Sequence, residues 1–286
     1  MLSVKPDRPL EPVIVEVLRH IDTLAAQLAL PYFVAGAMSR DILLNKVFGL
    51  NAGQVTRDID FAIAVANWEQ FETVKKRLIE GGRFTPDSSA THRLYYAAPG
   101  TTSKYPIDLI PFRGMEEPPS TIAWPPNLKV MMNVAGYEEV LANAVYVNVD
   151  VGLTVRMASL PGLALLKLFA WVDRGNENSK DAQDFVMILR TYHDAGNKDR
   201  LFGQEIWAME AVEYDIELAG ARLVGNDVRS IASPTTLQKV VVLLEDSTMV
   251  DRLTIHMARG LTAFDDSVAV ARLLLEQFKA GLLRQS

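Results

Sequence analysis

Apolar positions recur along the chain in two periods, and the change from one to the other divides it. Ile14, Val17, Leu18, Ile21, Leu24, Ala25 and Leu28 return every third or fourth residue, which predicts an amphipathic helix ended by Pro31. Tyr32–Ala35 reads as a short strand, and Gly36 stands between it and a helical pattern running to Leu44. In Thr56–Ile63 the period falls to two: Ile59, Phe61 and Ile63 point one way, Asp58 and Asp60 the other. Trp68 to Ile79 is helical again and stops at Gly81-Gly82. Arg93–Tyr96 and Pro106–Pro111 read as strands either side of a turn at Pro99-Gly100, and a hairpin is expected at Val145–Val149 and Leu153–Met157. From Leu160 the helical period persists, through Leu163–Trp171, a helix opening at Lys180–Phe185, and segments near 203–219, 235–245 and 265–283. Residues 1–10 are expected as a loose lead. Residues 114–127, with four prolines around Trp124, are expected as a loop. The pattern predicts an α+β fold: a mixed β-sheet flanked by helices in residues 1–158, followed by a helical domain in 159–286.

Composition narrows the chemistry. With 49% hydrophobic and 22% charged residues, the 286-residue chain is globular rather than disordered. It has no cysteine, which excludes a disulfide scaffold, a thiolate zinc site and a cysteine nucleophile. The four histidines form no His-x-x-x-His pair, so a metal would be held by oxygen, which points to Mg2+ or Mn2+. A net charge of -6 argues against general electrostatic binding of nucleic acid. The N-terminus shows no apolar signal core, and no run approaches the ~20 residues of a membrane span. A soluble, cytoplasmic protein without membrane association is expected.

Three short stretches carry candidate chemistry. Two residues along a strand advance roughly 7 Å, so Asp58 and Asp60 stand side by side on one face, where like charges ask for a cation. Asp108 is the only acid in an otherwise apolar strand, a costly placement without a partner. A glycine between strand and helix lets the backbone turn sharply and approach a ligand, and a helix start favours phosphate; Ser39 and Arg40 follow in that first turn. The glycine pattern is neither a Rossmann fingerprint nor a P-loop. In one mixed sheet Asp58, Asp60 and Asp108 can converge into an all-oxygen site for divalent ions bound to a nucleoside triphosphate, the arrangement of in-line nucleotidyl transfer.

In this order the motifs resemble those of the nucleotidyltransferase superfamily with the DNA polymerase β-like fold. Its helix-opening glycine pair falls on Gly36-Ala37, its paired acids on Asp58-x-Asp60 and its third acid on Asp108. The run Gly36–Leu44 is similar to the head region of tRNA CCA-adding and poly(A) polymerases. The later part resembles AbiEii/AbiGii-type toxin nucleotidyltransferases, in which a helical lysine precedes a basic-Asp-x-x-Asp helix start; Lys167 and Lys180-Asp181-x-x-Asp184 match that layout. The resemblance implies metal binding and catalysis by Asp58, Asp60 and Asp108. It implies nucleotide binding, of ATP or another NTP, by Gly36, Ala37, Ser39, Arg40 and Lys167. It also implies an RNA, protein or small-molecule acceptor and an antitoxin partner. Three features depart from the family pattern. Ala37 replaces a glycine or serine, the Arg-Arg-Asp-Phe-Thr stretch of the polymerases is missing, and the charge is acidic.

Two readings follow. In the first, the protein is a metal-dependent nucleotidyltransferase, with Lys167 reaching the triphosphate from the helical domain. In the second, it is an inactive binding or interaction protein on the same fold; Ala37 favours that reading and the retained acids oppose it. The Lys167 ammonium, set in the apolar run Leu163–Phe169, is expected to reach either a ligand or, by snorkelling, solvent.

Overall fold

The structure, a computed structural model, describes residues 1–53, 56–100, 103–125, 128–261 and 266–284. The chain forms two compact units, Met1–Ser159 and Leu160–Ser286.

The first unit is built on an eight-stranded mixed sheet. Its strands are β1 (Leu2–Ser3), β2 (Tyr32–Ala35), β3 (Ile59–Val65), β4 (Phe84–Pro86), β5 (Arg93–Ala97), β6 (Lys104–Arg113), β9 (Val145–Asp150) and β10 (Leu153–Met157), in the spatial order β1-β9-β10-β2-β3-β6-β5-β4. Strand β3 lies at the centre, antiparallel to β2 and parallel to β6. The alternation legible in the sequence is the one observed: Ile59, Phe61 and Ile63 are buried on one face. That face is covered by α1 (Pro12–Leu28) and α3 (Trp68–Glu80), whose Ile21, Leu24 and Val74 surround Ile63. The Tyr96 hydroxyl donates to Glu16 of α1 at 2.7 Å. Asn67 caps α3 by accepting from the Gln70 N–H at 2.9 Å.

On the opposite face the sheet is covered only in part. Tyr137 of α4 (Tyr137–Ala142) packs on Phe33 and Phe112, with ring centroids 5.9 and 5.6 Å away. Helix α2 (Gly36–Asp41) continues into a π-helix, Ile42–Phe48, that leads away from the end of β2. At this end of β3 and β6 Asp60 is half-buried and Asp108 buried, while Asp58, just before β3, is exposed.

Several segments differ from expectation. The first residues are not a loose lead, because Leu2–Ser3 pairs in parallel with Val147 and Asn148 and covers the edge of β9. The proline-rich stretch expected as a loop folds into a hairpin of β7 (Thr121–Trp124) and β8 (Val130–Asn133). Its anchor is Trp124, whose ring meets Trp68 and Phe71 of α3 at 5.5 and 5.9 Å and His92 at 5.0 Å.

The second unit is helical: α5 (Leu160–Arg174), α6 (Lys180–Thr191), α7 (Lys198–Leu201), α8 (Ile206–Glu210), α9 (Ile216–Ile231), α10 (Pro234–Glu245), α11 (Ser247–Ala258) and α12 (Ser267–Leu282). The helix expected near 203–219 is two, because Asp215 caps a new start by accepting from the Leu218 N–H at 3.0 Å. Asp246 does the same for α11, at 3.0 Å to the Met249 N–H, so one residue both ends α10 and opens a helix that was not expected from the periodicity. Trp171, Phe185, Leu223 and Phe278 form the core. Gly225 lets α9 meet α12 backbone to backbone, since a Cβ there would lie 2.1 Å from the Phe278 carbonyl oxygen. Among the described residues, no helix is long and apolar enough to cross a membrane.

Candidate active site

The register of three strands sets one row of side chains across the sheet. Asp60 stands opposite Ala35 of β2 and opposite Asp108 of β6, and Asp108 stands opposite Arg93 of β5. Residues opposite each other share a face, so Ala35, Asp60, Asp108 and Arg93 lie in a line; Asp58 precedes β3 and stands outside the paired register.

Gly36 sits at the end of β2 with φ +61, in the left-handed region that favours glycine. A Cβ added there would fall 1.8 Å from Oδ2 of Asp60. The glycine expected to serve the approach of a phosphate thus also makes room for the carboxylate of Asp60. Ala37 follows it, half-buried.

Asp108 is buried and gripped by Arg93, whose Nε donates to Oδ1 at 2.7 Å and Nη2 to Oδ2 at 2.6 Å. These hydrogen bonds hold the Arg93 guanidinium above the usual arginine range, and the negative charge of Asp58 adds to the effect. His92 Nε2 lies 4.0 Å from Asp108 Oδ1. Burial pulls the His92 pKa below its ordinary value, against the pull of Asp108, so the imidazole is neutral at neutral pH.

The sheet therefore brings Asp60 and Asp108 to one face, with Asp58 just before β3, but not as a ready ligand cluster. Among the described residues, no three acidic or imidazole groups are arranged to hold a metal ion. Arg93 engages both oxygens of Asp108. Sequence reasoning missed this residue and its neighbour His92. A turn centred on Pro99-Gly100 would not have paired them; the observed register sets Arg93 opposite Asp108.

Ser39 and Arg40 follow Gly36 in α2. Both are buried. The Ser39 hydroxyl donates to the Ala158 carbonyl at 3.1 Å. Arg40 Nε donates to Asp41 Oδ1 at 2.9 Å, Asp41 Oδ2 accepts from the Thr56 N–H at 3.0 Å, and Thr56 Oγ1 accepts from the Asp58 N–H at 3.1 Å. Arg40 thus stands at the head of a hydrogen-bonded relay that fixes the approach to β3 and the position of Asp58.

Lys167, in the second unit, does not reach solvent. It is buried, its ammonium donates to Asp181 Oδ1 at 2.9 Å, and it also pairs with Asp184. Arg174 adds two hydrogen bonds to Asp181, at 2.6 and 3.0 Å. Burial works to raise the Asp181 carboxyl, but the Lys167 and Arg174 charges outweigh it and hold its pKa down at about 2. The snorkelling expectation fails here because the two acids at the start of α6 lie on one helical face and offer the ammonium a partner inside the unit.

Residues 22–212 match the family model described as the nucleotidyl transferase AbiEii toxin of type IV toxin–antitoxin systems. The chain belongs to the AbiEii nucleotidyltransferase family. The match runs from within α1 through the mixed sheet to beyond α8, so it takes in the acid face and the Lys167 cluster alike. Membership makes this AbiEii-family protein a transferase. No curated protein matches the chain significantly. Among solved structures it is similar to the antibiotic-resistance factor ANT(2'')-Ia, at 13% identity and a TM-score of 0.39 over 72% of this chain and 99% of that one. A nucleotidyltransferase-like protein from Paracoccidioides brasiliensis matches at 13% and 0.43 over 73% and 93%. The Thermotoga maritima CCA-adding enzyme complexed with tRNA matches at 13% and 0.26 over 96% and 81%.

Proposed function

We propose that the protein moves a nucleoside monophosphate from an NTP to a hydroxyl-bearing acceptor, with a divalent cation, as the toxin of a toxin–antitoxin pair. The observation that carries the reading is the fit of Asp60 against Gly36, in register with Asp108. A family glycine and two family acids meet there in a way a side chain at position 36 would forbid. We assign this chemistry to the sheet-bearing residues 1–158.

The donor set suits Mg2+ or Mn2+: the half-buried Asp60 and exposed Asp58 offer hard oxygen ligands on an open face, and the missing Cβ of Gly36 leaves the Asp60 carboxylate its place. With both oxygens of Asp108 engaged by Arg93, Asp58 and Asp60 would hold the ion, which when bound would neutralise triphosphate charge and steady the leaving pyrophosphate. In the reaction a bond forms between the acceptor oxygen and the α-phosphorus, and the bond from that phosphorus to the bridging oxygen of the pyrophosphate breaks. Asp108 takes the proton of the acceptor hydroxyl. Gly36 and Ala37 let the nucleotide approach the backbone closely. Arg40, through Asp41 and Thr56, keeps Asp58 in place. Lys167 orders the helical residues 159–286 through Asp181 and Asp184. The acceptor is an RNA end, a protein or a small molecule.

Incubation of the purified protein with each labelled NTP, Mg2+ and a cell extract tests the reading, and the labelled species names the acceptor. Label transferred by the wild type and not by Asp60→Asn supports it. Absence of transfer with every NTP, alongside measurable NTP binding, favours the inactive interaction protein, the reading that Ala37 supports.

A further inference from the structure

We propose that the groove between α1 and α3 is a second ligand site, which takes a nucleoside monophosphate, free or as the phosphorylated end of an RNA. It lies apart from the acid row and does not depend on the transfer reaction.

The groove follows from the helix period. Glu16, His20, Thr23 and Gln27 recur every third or fourth residue, so they lie along one side of α1, with Arg19 and Leu24 beside them. Arg77 and Leu78 of α3 stand across from them, and Gly81, Arg83 and Phe84 close the end where α3 gives way to β4. The cavity they line measures about 410 Å3. Sites for small molecules run from roughly 300 to 1,000 Å3. Leu78 and Phe84 are buried and form the floor, while the three arginines, His20 and Thr23 are exposed at the rim. Helices α1 and α3 cover the face of the sheet that holds Ile63, so the groove opens on the side away from Asp60 and Asp108.

Charge selects the head of the ligand. Three arginines stand against one acid, Glu16, in a chain whose net charge is -6. Among the described residues, Arg77 and Arg83 make no hydrogen bond and no ion pair. Arg19 donates to Asp150 at 2.8 Å, but both side chains are open to water, where such a pair holds weakly. Glu16 is occupied by the Tyr96 hydroxyl. Two free guanidiniums on one groove repel each other unless an anion lies between them. A phosphomonoester suits them: it carries a charge of about -1.5 to -2 at neutral pH, and its oxygens accept the parallel bonds of a guanidinium fork.

The rest of the lining selects the body. An apolar floor favours a ligand with an apolar or planar group over inorganic phosphate. The exposed His20 ring packs at right angles to Phe84, with centroids 5.8 Å apart, and offers a face on which a base can stack. Thr23 and Gln27 add a hydroxyl and an amide, groups that both donate and accept hydrogen bonds, for the sugar and the edge of the base.

Isothermal titration calorimetry of the full chain with AMP tests the site, in EDTA so that no divalent ion bridges the phosphate to the acid row. We expect AMP to bind, and adenosine and inorganic phosphate each to bind at least about tenfold more weakly. Arg77→Gln combined with Arg83→Gln should weaken AMP at least about tenfold, because the forks are lost. Asp60→Asn should leave AMP binding unchanged. Each single arginine variant should show part of the loss, and these carry the test if the double variant fails to fold. A trinucleotide RNA with a terminal phosphate shares the chemistry: tighter binding than AMP assigns the groove to an RNA end, and weaker binding assigns it to the free nucleotide. Absence of AMP binding, or wild-type AMP affinity in the folded arginine variants, overturns the proposal. So does inorganic phosphate binding as tightly as AMP, which would leave the apolar floor without a ligand group. AMP binding lost in Asp60→Asn also overturns it, by placing the nucleotide at the acid row.

Discussion

Oδ2 of Asp60 lies 1.8 Å from the point where a Cβ on residue 36 would stand. The strand that carries the acid and the turn that opens α2 are thus fitted to each other through an absent side chain. Gly36→Ala should be costly twice. An L-residue at φ +61 loses about 1–2 kcal/mol on its own, and the carboxylate must also move. We expect nucleotide transfer to collapse and urea denaturation to show at least that loss. Gly36→Ala with Asp60→Ala should recover part of the stability and none of the activity.

Asp60→Asn keeps the shape of the side chain and removes a charge from a row of acids. The fold should survive, with a melting temperature close to that of the wild type in the absence of divalent ions, since Arg93 already neutralises the neighbouring Asp108. Transfer should fall by at least about a hundredfold. Thermal melts alongside labelled-NTP assays check both. A fully active Asp60→Asn enzyme would place the chemistry elsewhere.

Lys167→Ala should unfold the protein more readily. The ammonium is the shared partner of Asp181 and Asp184, with 9% of the lysine side chain exposed and 4% and 14% of the two acids. Breaking a buried pair by removing one member costs about 3–5 kcal/mol, because the carboxylates left behind are uncompensated. Arg174 still holds Asp181, so the lower end of that range applies. A denaturation midpoint unmoved by the substitution would show that the pairing contributes nothing.

The same cluster makes a statement about acid. The Asp181 carboxyl is held at about 2 in the folded protein, below its ordinary 3.8. A depressed carboxyl stabilises the fold fully above its unfolded value, and that contribution is lost as pH falls from there through the folded value. Stability should therefore decline between about pH 5 and pH 2, and the decline should be shallower in Asp181→Asn, which starts lower at neutral pH. Urea midpoints across that window for both proteins provide the check.

Much of this was legible in the chain itself. The acids of β3 and the lone acid of β6 were visible because alternation with apolar neighbours is a local signal, and so was the helical change at Leu160. The segments missed share a physical cause: their structure depends on partners far along the chain. Leu2–Ser3 is too short to carry a period and is a strand only because β9 accepts it. Trp124 makes the proline-rich stretch a hairpin because α3 and His92 receive its ring. The bonds of Ser39 to Ala158 and of Arg40 to Asp41 were not legible either, the first because its partner lies far along the chain. The partners of Lys167 were in view as Asp181 and Asp184, but helix-start acids read as dipole complements when the neighbouring helix is not known.

The order of strands also bears on how the chain finds this arrangement. Strands β5 and β6 form a local hairpin, whereas β3 and β6 are parallel and need the whole crossover through α3, β4 and β5 before they touch. Local pairing is fast and non-local pairing slow. Asp108 should therefore meet Arg93 first and arrive at β3 already neutralised, so two carboxylates never have to approach each other bare. We expect Arg93→Gln to slow refolding more than it speeds unfolding in stopped-flow measurements, a kinetic trace of a charge matched before it is used.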